Sequence, residues 1–115
     1  MEVSFGGIGE IAATFKTSGT VNKGALVKMA SNDTVAACSA NDRFCGVALS
    51  VAPDGFATVL LHGFTTVTYT GATAPSVGYN KLLAGAADKV TVNANGADYL
   101  VVSVNTTATT ACVLL

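Results

Sequence analysis

The sequence predicts an all-β fold, a small single-domain β-barrel or sandwich of about eight to ten short antiparallel strands. Three observations carry that reading: apolar and small polar residues alternate in short runs, turn residues recur between the runs, and no stretch shows a helical period. The clearest run is Phe44–Tyr69, which reads as a three-stranded β-meander. Val47, Leu49 and Val51 alternate with Ala48 and Ser50. Ala52-Pro53-Asp54-Gly55 then supplies turn chemistry, because Pro presets one backbone angle and Asp and Gly tolerate left-handed geometry. Phe56–Leu61 returns from that turn, Gly63 permits a bend, and threonines alternate through Thr65–Thr70.

The elements before the meander follow the same grammar. Val3–Gly9 is too rich in glycine to hold a helix, and residues 1–10 read either as an N-terminal arm or as the first strand of the barrel. Ile11, Ala13 and Phe15 alternate with Ala12, Thr14 and Lys16 in a half-buried strand closed by Thr17-Ser18-Gly19. After Val21 and the turn Asn22-Lys23-Gly24, the strand Ala25–Ala30 places Leu26 and Lys28 on one face and Val27 and Met29 on the other. Ser31-Asn32-Asp33 turns into Thr34–Cys38, and the polar loop Ser39–Asp42 leads to the meander.

Beyond Tyr69, Pro75 forbids helix and central strand across the small-residue connection Thr70–Ser76. The remainder replays the earlier order at one constant offset, with Val21 on Val77, Leu26 on Leu82, Val27 on Leu83 and Asp42 on Asp98, so duplication and coincidence both fit. Lys89–Asn93 and Asp98–Val104 flank Asn95-Gly96, a hairpin signal. The apolar end Thr109–Leu115 reads as a final strand held in the sheet.

Composition narrows the function classes. Charged residues make up 11% of the chain and hydrophobic residues 50%, with a formal net charge of −1. A charged share well below the usual one of about 25% leaves neutral Thr, Ser, Asn, Ala and Gly to cover the surface. Such a surface resists association poorly, which favours a homo-oligomer, a trimer above all. Six Lys and Arg, interleaved with acids, make no basic stripe for nucleic acid. No run is long and apolar enough for a spanning helix, and no secretory signal opens the sequence, so no membrane association is expected. The three cysteines, Cys38, Cys45 and Cys112, read as small buried thiols in a chain made in a reducing cytoplasm.

No constellation announces a chemistry. His62 is the single histidine, with no Ser or Cys that the sequence places beside it. Asp33 and Asp54 sit in turns, where Asp side chains bond their own following backbone. Gly6-Gly7-Ile8-Gly9 lacks the strand, helix and Lys-Ser/Thr of a phosphate loop. Val21–Met29 resembles the strand-turn-strand of biotinyl and lipoyl carrier domains, but Lys28 lies inside an alternating strand and not at a hairpin tip. No catalytic, cofactor-binding or metal-binding residues are therefore assigned, and the chain is expected not to be an enzyme.

Gly24-Ala25-Leu26-Val27, then Phe44-Cys45-Gly46-Val47-Ala48-Leu49, then Asp54-Gly55 with Val59, then Gly63-Phe64 and Val67, carry a resemblance across roughly residues 20 to 105. They resemble the capsid decoration and head-fibre-base proteins of tailed bacteriophages, small β-barrel proteins with a spaced Gly-x-Leu-Val, Gly-Val-Ala, Gly-x-x-x-Val pattern. The resemblance implies a non-enzymatic structural protein of the virion, made in the bacterial host cytoplasm and assembled, usually as a trimer, on the outer capsid surface. Its partner would be the major capsid protein. A surface adhesin or carbohydrate-binding β module is the alternative. For capsid binding the expected residues are Val3, Phe5 and Ile8, apolar side chains in the glycine-rich segment that an extended arm would add to a sheet edge on the capsid.

Overall fold

A computed structural model describes residues 10–115, and the expected capsid-binding residues Val3, Phe5 and Ile8 lie outside the described residues. The chain is all-β, as the sequence predicts. Among the described residues ten strands run in order: β1 (Ile11–Thr17), β2 (Leu26–Ser31), β3 (Thr34–Ala37), β4 (Gly46–Ala52), β5 (Phe56–His62), β6 (Phe64–Thr70), β7 (Gly78–Ala86), β8 (Lys89–Val92), β9 (Ala97–Asn105) and β10 (Thr110–Leu114). They close into two five-stranded barrels, one ordered β1-β3-β2-β4-β5 and the other β10-β6-β8-β7-β9. Closure removes most of the unpaired outer edges that such neutral strands would otherwise present.

The second barrel repeats the first pairing for pairing. β1 runs parallel to β3 and antiparallel to β5, and β6 stands in the same relations to β8 and β10. The remaining pairs are antiparallel in both halves. Most of the irregularities recur as well, although the shift at Ile11/Ala12 between β1 and β5 has no counterpart between β6 and β10. Ala30 and Gly85 are each skipped where β2 and β7 pair with the following strand, and Leu49 and Val102 are skipped where β4 and β9 pair with theirs. An extra residue at these points sharpens the strand bend that a small barrel needs. The sequence echoes this placement in Ala48-Leu49-Ser50-Val51 against Val101-Val102-Ser103-Val104, and in Ala57-Thr58-Val59 against Ala111-Cys112-Val113.

Four expectations change in detail. The duplication is real in topology, but its register differs from the sequence alignment. Val27, opposite Ala37, holds the place of Leu82, opposite Val92, so pairing Leu26 with Leu82 is one residue out and would turn every side chain to the wrong face. Asp42 lies in a loop and Asp98 in β9, so they are not equivalent. The supposed meander is divided: β5 pairs with β4 and β1, β6 with β10 and β8, and the two strands do not pair with each other. Between them Gly63, at φ +142°, is the single residue at which the chain leaves one barrel for the other. Asn95-Gly96 makes no hairpin, because β8 and β9 lie on opposite sides of β7 and the loop crosses over that strand. A Cβ at Gly96 would run into the backbone of Leu82, which explains a glycine at that crossing better than turn propensity does. Finally, the buried residues of β4 are Gly46, Val47 and Ala48, while Leu49 and Val51 face solvent.

Leu26 and Val27 show how the halves are joined. Both are fully buried although adjacent residues of a strand point to opposite faces. Val27 fills the first barrel with Val35, Ala48, Ala57 and Val59. Leu26 points the other way and joins Cys38, Phe44 and Val47 in the apolar cluster of the second barrel, against Leu82, Ala84, Val101 and Val113. Phe44 stacks on Tyr99 with ring centroids 5.0 Å apart and an interplanar angle of 12°, and the Tyr99 hydroxyl donates to the Phe44 carbonyl at 3.3 Å. Backbone bonds reinforce the contact: Leu26 N–H donates to Ala87 O (2.7 Å), Asn41 N–H to Ala84 O (2.8 Å) and Ala84 N–H to Asp42 O (2.9 Å). The core of the second barrel is therefore built from residues of both halves, while the first barrel keeps a core of its own.

Replacing Phe44 by Ala removes the stacked ring and leaves a void between the barrels, so F44A is expected to cost about 3–5 kcal/mol. Urea unfolding followed by far-UV circular dichroism measures it, and a cost below about 1 kcal/mol would show that the shared cluster is not what couples the halves.

Candidate interaction surface

The outer wall of the second barrel carries an apolar row that the strand registers assemble. Tyr79 on β7 lies opposite Leu100 on β9, Leu100 opposite Leu114 on β10, and Leu114 opposite Phe64 on β6. The neighbouring residues Val101 and Val113 point into the barrel and are fully buried, so by alternation this row points out. Tyr79 is 76% exposed and Val77, two residues earlier, 70%, while the other three are half-buried. Contiguous exposed apolar surface of this kind marks contact with another macromolecule more often than a scattered residue does. The row ends at one side in Lys81 and Asp98, an ion pair at 3.6 Å with both side chains largely in water.

The titratable groups are dispersed. His62 is exposed at the end of β5, opposite Ile11. Among the described residues no three His, Cys, Asp or Glu side chains come together as a metal site would require. Lys28 is on β2 and not at a hairpin tip, and its ammonium donates to the Asp42 carboxylate at 2.7 Å. That hydrogen bond, with a second from Ser39 N–H at 2.8 Å, holds the Asp42 carboxyl below its ordinary value, and the same bond raises Lys28. Asp42 thereby fixes the loop whose backbone grips Ala84. All three cysteines are free thiols, Cys38 buried and the other two half-buried. Burial, with the Asp42 charge adding to it, pushes the Cys38 thiol up to about 11, and burial also raises Cys45.

None of the row residues is assigned to a surface by the sequence, where Phe64 enters only as part of the resemblance, because the row exists only in the registers of four strands drawn from both ends of the second half. Its one legible trace is the closeness in sequence of two exposed apolar residues, Val77 and Tyr79. Among the described residues no helix is long and apolar enough to cross a membrane.

Because the Asp42 carboxyl is depressed in the folded chain, its charge contributes stability above the unfolded value of 3.8, and that contribution is lost as pH falls through the lower folded value. Asp42→Asn should accordingly lower the melting temperature at neutral pH, and the gap to wild type should close in acid. Calorimetry across that range checks it, and a gap independent of pH would assign the loss to loop geometry instead of charge. A second measurement concerns the thiols: at mildly alkaline pH, Cys38 should resist a water-soluble alkylating reagent in the native chain and react in urea. Peptide mapping reads the modified positions.

No protein-family model, curated protein or solved structure matches this chain.

Proposed function

We propose that this chain is a non-enzymatic structural protein that decorates and stabilises the outer surface of a phage capsid by binding the major capsid protein. The observation that carries the reading is the apolar row Tyr79–Leu100–Leu114–Phe64 on a rigid, weakly charged double barrel. Such a body suits a repetitive lattice, where many weak identical contacts add through avidity. In this reading the exposed row, with Val77 beside it, is the self-association face that builds a trimer, and Val3, Phe5 and Ile8 engage the capsid. The sequence resemblance to capsid decoration and head-fibre-base proteins supports the same assignment.

The test uses heads of the phage that carries the coding sequence, assembled without this chain. Added wild-type protein should co-sediment with them at a fixed saturating ratio to the major capsid protein and raise their resistance to heat. Light scattering at micromolar concentration should give a trimer, and Tyr79→Asp, at a position in water, should yield folded monomer that binds heads at least tenfold more weakly. His62→Ala should leave binding and stability unchanged. Failure of wild-type protein to bind the heads would overturn the proposal, and a Y79D protein that remains trimeric would remove the row from it.

A further inference from the structure

The duplication exposes an asymmetry at one strand edge. In the second half β7 pairs with β9 only as far as Leu82, and its edge beyond that point is taken by the loop of the first half: Ala84 accepts from Asn41 N–H and donates to the Asp42 carbonyl. The residue equivalent to Ala84 is Met29, since Met29 lies opposite Val35 as Ala84 lies opposite Val90. β2 pairs with β4 only at Leu26 and Val27, so among the described residues no strand neighbours its edge past Val27.

The backbone of Met29 faces that edge. Cys38 N–H donates to Leu26 O (2.9 Å), and alternation from there makes Met29–Val35 a pair whose members bond outwards. Val35 does so, its carbonyl accepting from Ser18 N–H at 2.8 Å. The N–H and C=O of Met29 consequently point to the open side. Ala84 is fully buried beneath its loop, whereas Met29 is 49% exposed and borders an open concavity running from Met29 to Asp33. Edge groups left unpaired in this way are a template for strand addition.

We infer that the open edge of β2 at Met29 is a strand-addition site for an extended segment of a partner polypeptide, one of small and polar residues like Ser39-Ala40-Asn41-Asp42. A second copy of this chain does not fit by repeating the internal contact. The position of Leu26, which enters the apolar cluster of the second barrel, is occupied in the second half by Lys81, paired to Asp98 in water. The loop between β8 and β9 is also shorter than that between β3 and β4 and carries no counterpart of Phe44. The occupant is therefore a different polypeptide that brings backbone hydrogen bonds without an apolar plug. This inference is independent of whether that polypeptide belongs to a capsid.

The probe is a synthetic peptide copying residues 38–43 with Cys38→Ser, titrated into the 15N-labelled intact chain. Saturable amide shifts confined to Met29–Asp33, with millimolar affinity, are expected. Methylating the peptide nitrogen that corresponds to Asn41 should abolish them in wild-type protein, a control that needs no protein variant. Met29→Pro deletes the outward donor at an edge position, where proline is tolerated, and should leave the rest of the spectrum intact while eliminating the shifts. The absence of saturable shifts at Met29–Asp33, or shifts that survive either the methylated peptide or M29P, would overturn the inference.

Discussion

The structure depends on the insertion of Leu26, Cys38, Phe44 and Val47 into the apolar cluster of the second barrel. A five-stranded barrel has little interior, and each half alone could bury only one face of its strands. By sending Val27 inward and Leu26 across to the other half, β2 serves two cores at once. The loop after β3 is held against β7 by its own backbone, and the Lys28–Asp42 pair ties that loop back to β2. The ion pair is partly in water and adds positioning more than energy. Burial of the ring and the aliphatic side chains provides the larger share.

How far the sequence could be read followed from what each feature depends on. Strand existence depends on local alternation and turn residues, and β1, β2, β3, the final strand and the connection at Pro75 were all legible on those grounds. Pairing depends on registers between distant segments. Gly63 looked like an ordinary bend within a meander, yet it separates two barrels, and Asn95-Gly96 looked like a hairpin although β7 lies between the flanking strands. The repeat was visible as an order of elements but misaligned by one residue at Leu26, because apolar residues at both Leu26 and Val27 satisfy either alignment. A doubly buried neighbouring pair inside an alternating strand was the signal that two cores were present. The exposed apolar row left almost no trace, since Tyr79, Leu100 and Leu114 lie far apart in sequence and meet only across the sheet.

The two halves have diverged where it matters for assembly. A module whose outward face docks on its own duplicate could go on adding copies head to tail, since a heterologous contact does not close by itself. Lys81 and Asp98 on the second half put charge where the first half has the apolar Leu26, and the series stops at two. The lateral wall with Tyr79 and the edge at Met29 then remain as separate faces for other contacts.

The single-residue junction at Gly63 also fixes an order of events during synthesis. The first five strands precede in the chain every second-half residue that covers Leu26, Phe44 and Val47. Until those residues emerge, a ring and two aliphatic side chains of the first half lack their cover, and the strand that would supply it begins one residue beyond β5. Chain order thus puts the first half in place to serve as the scaffold on which the second half closes.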